Sequence, residues 1–297
     1  MDCIIPNFAK GYLLLMLPEE LVKKINRFDW TKSIIFYDID EDVTSLFSKQ
    51  KFQIDAKNFL SFAYEDYASG TLRGKVNALS NAKRAIDCQI DTILSAFGYN
   101  LTQTFSEKIF ADFVQNYQDQ NKPFQASPKL KLLHAIDIAP FNLLEKLRKI
   151  RHDLEHEYRL PEKEDNIQDI IDVAELFIGY SENLLRNFIE FYFFSDTKEY
   201  LSDEDYDDSD VDYKRGIKIT YDNQNNTFIF DGYDNSQYLG NAIIDINNEF
   251  YLSLLKLHIA LTKGKVKSFN EAYLSLFRVF KCPTPEQYIN IEVLLTF

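Results

Sequence analysis

The feature that most constrains this chain is a change of hydrophobic period partway along it. From residue 52 to about residue 194, apolar side chains recur at three- and four-residue steps, which places them on one face of α-helices. Beyond the acidic run after Ser195 the step drops to two, the alternation of strands with one buried face. The 297 residues therefore hold a helical stretch and a stretch containing strands, and are enough for a sizeable core without disulfides.

Within 73–97, Val76, Leu79, Ile86, Ile90, Ile93, Leu94 and Phe97 predict a long amphipathic helix, with Gly98 as its stop. A helix over 52–68 precedes it, and Ser69 and Gly70 form a turn so short that the two must run antiparallel. Helices are also expected over 105–117, 128–138 and 141–158, with a break at Pro140 and an end at Pro161. A last long helix over 166–194 is apolar at Ile167, Ile170, Ile171, Ala174, Phe177, Ile178, Leu184, Leu185 and Phe188. Segments 217–221 and 227–230 read as a β-hairpin, followed by helices over 247–262 and 268–280. Four parts result: an N-terminal extension (1–51), a helical domain (52–195), an acidic linker (196–212) and a C-terminal α+β domain (213–297).

The formal charge is −13, but residues 196–212 carry nine acids against the single base Lys198, so −13 less −8 leaves an ordinary −5 elsewhere. That balance excludes a broad phosphate-wrapping surface and leaves room for a small basic site. The apolar run 12–17 ends at Pro18, too short for a membrane span or a signal peptide, so a soluble cytoplasmic protein without a membrane partner is expected. Cys3, Cys88 and Cys282 are odd in number and far apart, which argues against a disulfide framework or zinc ribbon and for a reducing compartment. No glycine-rich phosphate loop occurs.

Polar chemistry concentrates in KLRKIRHDLEHEY, residues 146–158, which holds two of the four histidines. On a helix, Leu143, Leu147, Ile150 and Leu154 form the core stripe, leaving Lys146, Arg148, Lys149, Arg151, His152, Glu155, His156 and Tyr158 outside it. An imidazole can take the proton of an RNA 2′-hydroxyl near neutral pH, and a guanidinium can balance charge on the resulting phosphorane. His156 as general base or acid and Arg151 as phosphate stabiliser, with His152, Glu155 and Lys149 in support, is the assignment that a family resemblance of this segment implies. Five helical steps set Arg151 and His156 about 140° apart, so a loosened helix end or a two-fold partner must bring them together.

Arg151-x4-His156, with polar His152 directly after the arginine, resembles the defining motif of the HEPN superfamily. The exit LEHEY followed by Arg159-Leu-Pro161, and the upstream block NALSNAKRAID over 77–87, are similar to that family over about residues 52–194. The resemblance implies a HEPN-like antiparallel helical bundle over that stretch and leaves both ends of the chain unexplained; with the small C-terminal α+β domain and the short N-terminal extension read from the hydrophobic pattern, a mainly α protein is expected. The resemblance also implies a homodimer and a metal-independent, cofactor-free endoribonuclease acting on RNA, in a toxin or antiviral defence role. Lys83 and Arg84 would join Lys146, Arg148 and Lys149 in binding RNA. Arg-x4-His-x-Tyr, completed by Tyr158, resembles HEPN toxins whose antitoxin nucleotidyltransferases modify that tyrosine, which makes Tyr158 a candidate modification site.

Two other readings use the same residues. His152-Asp-Leu-Glu155-His156 spells the H-x-x-E-H of inverted zinc peptidases, with both histidines on one helical face, but no glutamate lies between Asp205 and Asn248 where a third ligand is expected. A non-catalytic module could instead dock RNA, nucleotide or protein on the same basic helix. His134 and His258 sit among apolar neighbours and read as core or boundary histidines, while Arg84 and Asp87, three apart, could form a surface ion pair. The 25 Phe and 18 Tyr are mostly core, with tyrosines near the motif available to stack on bases.

Overall fold

The computed structural model describes residues 52–99, 127–139, 165–189, 191–195, 215–234, 237–248 and 250–263, the backbone of 34–36, and Leu46, Phe113 and Ala272. Among these residues lie five helices and five strands. In chain order they are β1 (Ile34–Phe36), α1 (Ala56–Ala68), α2 (Leu72–Ala96), α3 (Pro128–Ala135), α4 (Asp165–Arg186), β2 (Phe191–Ser195), β3 (Arg215–Asp222), β4 (Thr227–Asp234), β5 (Gln237–Ile244) and α5 (Tyr251–Thr262). They cluster into two units interleaved in sequence: 1–39, 190–245 and 277–297 in one, 40–189 and 246–276 in the other.

The second unit is helical. Asp55 caps α1 through a reciprocal pair of bonds with Asn58, and Thr71 Oγ1 accepts the Gly74 N–H at 3.0 Å to open α2. The turn between them places Gly70 at φ 65°, left-handed backbone that glycine adopts without strain. The core stripe of α2 (Leu79, Ile86, Ile90, Ile93, Leu94) is buried, as is that of α4 (Ile167, Ile170, Ile171, Ala174, Phe177, Ile178, Leu185). Each leucine, isoleucine or phenylalanine so buried contributes about 1.5–3 kcal/mol, so these stripes outweigh the polar ties between helices. Those ties set register: Gln89 Nε2 donates to Ser181 Oγ at 2.8 Å in the interior, Tyr64 donates to Glu175 at 2.8 Å, and Lys57 pairs with Glu182 at 2.7 Å. Helix α5 is buried from Tyr251 to Leu261, and the Tyr251 hydroxyl donates to the Phe97 carbonyl at 2.9 Å, joining α5 to the end of α2.

The other unit is an antiparallel sheet in the order β1-β2-β3-β4-β5, in which each strand pairs with its neighbour in sequence. One face carries buried Tyr192, Ile217, Ile219, Tyr221, Phe228, Phe230, Ala242 and Ile244 in register. The β3–β4 turn is held by Asp222, whose carboxylate accepts from the backbone of Gln224 (2.8 Å) and Asn225 (3.2 Å), while Asn226 takes φ 54°.

These elements correct the expected fold class. The described residues form a mixed α+β protein, not a mainly α HEPN-like helical bundle with a small C-terminal α+β domain and a short N-terminal extension. The sheet draws β1 from the N-terminal stretch and β2 from residues expected to continue the long helix, which stops instead at Arg186. Phe191–Ser195 is rich in aromatic residues, which suit a pleated surface, and its pairing with β3 overrides the helical period that runs up to Phe188. Helix α5, expected in the C-terminal domain, groups with the helical unit. The expected helices over 105–117, 141–158 and 268–280 lie outside the described residues, apart from the single positions Phe113 and Ala272. No described helix is long and apolar enough to cross a membrane.

Candidate functional site

Of the residues singled out from the sequence, Lys146, Arg148, Lys149, Arg151, His152, Glu155, His156 and Tyr158 lie outside the described residues, whereas Lys83 and Arg84 are placed on α2. Lys83 Nζ pairs with Asp87 Oδ2 at 3.4 Å, one turn away. The Arg84–Asp87 pair is not made: Arg84 Nη1 donates to Asn81 Oδ1 at 3.4 Å, and Asn81 Nδ2 in turn donates to Asp66 Oδ2 at 2.9 Å. A buried amide thus connects the exposed guanidinium of α2 to a carboxylate on α1. Arg84 keeps most of its donor fork for an anion, while the Lys83 charge is already balanced locally.

The remaining described histidines serve structure. His258 is fully buried, its ring stacked on Phe188 at 4.5 Å between centroids, and its Nε2–H donates to the Ile189 carbonyl. Burial lowers its pKa to about 3, so it is neutral at cellular pH. His134 Nδ1 lies 3.2 Å from the Ala139 carbonyl. Burial first, then the charges of Asp55 and Asp91, push the Cys88 thiol up to about 11, which keeps it protonated at neutral pH. Among the described residues, no group of three or more His, Cys, Asp or Glu is arranged to hold a metal.

A second polar constellation lies on the sheet, and sequence reasoning missed it. Lys218 on β3, Asp231 on β4 and Asn241 on β5 are direct register partners across three adjacent strands, so their side chains leave the same face. Lys218 and Asp231 make no ion pair. Lys218 Nζ lies over the Phe191 ring, 4.2 Å from its centroid, and Asp231 Oδ1 accepts from the Tyr238 hydroxyl at 3.1 Å. Burial raises the Asp231 carboxyl above the ordinary carboxylate range, against the opposing effects of the Tyr238 bond and the Lys218 charge. Asn241 is only 9% exposed, and its carboxamide oxygen makes no hydrogen bond. Leaving such a group unsatisfied costs about 1–3 kcal/mol. The signal for this row was the alternation itself, since residues 218, 231 and 241 share one pleat once β5 is paired; Gly240 at φ 125° and the bulge at Gly232/Tyr233 obscure that strand.

Comparison of the chain with protein-family models, curated proteins and solved structures returned no match.

Proposed function

We propose that this protein is a metal-independent endoribonuclease whose reacting groups are Arg151 and His156, related to the HEPN superfamily through Arg-x4-His-x-Tyr. What supports the reading is the sequence of segment 146–158, which gathers Arg151, His152, His156 and Tyr158 in the spacing Arg-x4-His-x-Tyr, outside the apolar positions Leu147, Ile150 and Leu154. His156 withdraws the 2′-hydroxyl proton, the 2′-oxygen attacks the adjacent phosphorus, and Arg151 balances charge on the phosphorane. A protonated group then supplies the leaving 5′-oxygen with its proton, so the products are a 2′,3′-cyclic phosphate and a 5′-hydroxyl. His152 and Glu155 support the pair, and Arg148, Lys149 and Lys146 contact RNA phosphates. On α2, Arg84, held through Asn81, is better suited to extend that contact than Lys83 with its Asp87 partner. A homodimer would place Arg151 of one copy near His156 of the other. Adenylylation of Tyr158 by a partner nucleotidyltransferase would add phosphate charge beside Arg151 and silence the site. Toxin or antiviral defence roles follow from the same motif.

The test is incubation of labelled single-stranded RNA with purified protein in chelator. Cutting by the wild type and loss of about 100-fold or more in His156→Ala is expected for a lost general base. Equal cutting by both proteins would contradict the assignment. The second reading, zinc hydrolysis, rests on the i,i+4 spacing of His152 and His156 in H-x-x-E-H; stoichiometric zinc in the purified protein and inactivation by chelator would favour it. Binding of RNA without cutting would favour the non-catalytic module.

A further inference from the structure

We propose that the exposed face of α4 pairs with the same face of a second copy of this chain, the two helices running antiparallel about a two-fold axis at Gly179. The surface is read from α4 alone and does not rest on the ribonuclease reading.

Helix α4 turns Asp172, Leu176, Gly179, Tyr180, Asn183 and Arg186 away from its own core, at steps of one, three and four residues that keep them on one side. Its centre is apolar: Leu176 is 71% exposed and Tyr180 42%, although Phe177 and Ile178 between them are buried. Gly179 lies in the same patch. A glycine inside a helix costs about 0.8–1.0 kcal/mol relative to alanine, and the protomer does not require this one, since nothing lies within 4 Å of a Cβ built on it. A bare stretch of backbone on an exposed apolar face suits a second helix that approaches closely.

The charges on this face identify that helix. Asp172 stands seven residues before Gly179 and Arg186 seven after it, about 10 Å along the axis on either side. A two-fold axis at Gly179 exchanges the two ends, so each Asp172 meets Arg186 of the other copy, twice in one dimer. Glu175 and Asn183, four residues to either side, exchange in the same way. Each group keeps capacity for the new partner. Asp172 Oδ1 accepts from Gln168 Nε2 at 2.6 Å, which leaves Oδ2, and Asn183 Oδ1 accepts from Asn187 Nδ2, which leaves its own N–H groups to donate. Arg186 Nη2 is 3.7 Å from a Glu182 oxygen that Lys57 already holds at 2.7 Å, so most of its fork can turn to another carboxylate. A helix of another protein has no reason to repeat this spacing, whereas a second α4 carries it by construction. One helix pair is a small interface, so association in the range of about 10–100 μM is expected.

The test is sedimentation velocity of the full-length protein from about 1 to 200 μM, a range that spans the expected dissociation constant. The wild type should pass from monomer to dimer. Leu176→Asp puts a charge at the apolar centre and should weaken association by about tenfold or more. Asp172→Arg alone sets Arg against Arg, and Arg186→Asp alone sets Asp against Asp, so each variant should also self-associate about tenfold less tightly or worse. Mixing these two variants restores both opposite-charge pairs, and the mixture should dimerise where neither does alone. All three positions are exposed, and thermal melting at low concentration checks each fold; Leu176→Asp decides if a charge variant does not fold. A wild type that stays monomeric leaves the face to some other protein and overturns the proposal. Association unchanged in Leu176→Asp, or no gain in the mixture over its components, would overturn it as well.

Discussion

His258 carries a pH dependence whose sign follows from its burial. Its folded pKa, about 3, lies below the ordinary 6.5, so the folded protein keeps the ring neutral while the unfolded chain takes up a proton below about 6.5. The full stability contribution is present above about pH 6.5 and declines as pH falls toward about 3, by up to about 1.4 kcal/mol per pH unit. His258→Phe keeps a ring against Phe188 but cannot titrate. Between about pH 7 and 5 its melting temperature should fall less steeply than that of the wild type, even though loss of the bond to the Ile189 carbonyl costs about 1 kcal/mol at neutral pH. Parallel slopes for the two proteins would contradict this account. The reading of His258 as a core histidine was available from its apolar neighbours, because a helix buried all round leaves no other place for the ring. The Asn81 link to Arg84 was not legible, since an i,i+3 arginine–aspartate pair is equally compatible with the sequence.

At the scale of elements, two helical glycines give opposite predictions from one substitution. A Cβ on Gly74 would collide with the Asp66 carbonyl and the Ser69 hydroxyl, because the start of α2 passes directly against the end of α1. Nothing lies within 4 Å of a Cβ on Gly179, which sits in α4. Gly74→Ala should therefore destabilise by about 1–3 kcal/mol despite alanine's better helix propensity. Gly179→Ala should stabilise by about 0.5–1 kcal/mol. Denaturant unfolding checks both, and a stabilised Gly74→Ala would mean that α1 and α2 do not meet as described. Helix α2 was legible because a single apolar stripe at three- and four-residue steps runs along it between the Ser69–Gly70 turn and Gly98. Strand β2 was not, because the apolar run from Leu184 through Phe188 continues the helix pattern and the strand's partner lies beyond the acidic segment. Strand β5 was hidden by Gly240 and Asn241, which break the apolar alternation.

On the scale of the whole molecule, the sheet ties distant parts of the chain together. β2 pairs along its full length with β3, and β1 covers the other edge of β2. A fragment beginning at residue 213 separates β3 from β2 and exposes a strand edge, so it should aggregate or remain unfolded, whereas the intact chain should not. A soluble, cooperatively melting 213–297 fragment would contradict this pairing. The proposed pair Arg151 and His156 rests on spacing in the sequence alone, because spacing does not encode the tertiary or two-fold geometry that an approach of the two would require. The most direct test of the central claim is to identify the ends produced from an RNA and from the same RNA with one 2′-deoxy position at the cut. The account predicts a 2′,3′-cyclic phosphate from the first in chelator and no cut at the substituted position of the second. Cleavage at the deoxy position, or 3′-hydroxyl ends, would contradict it.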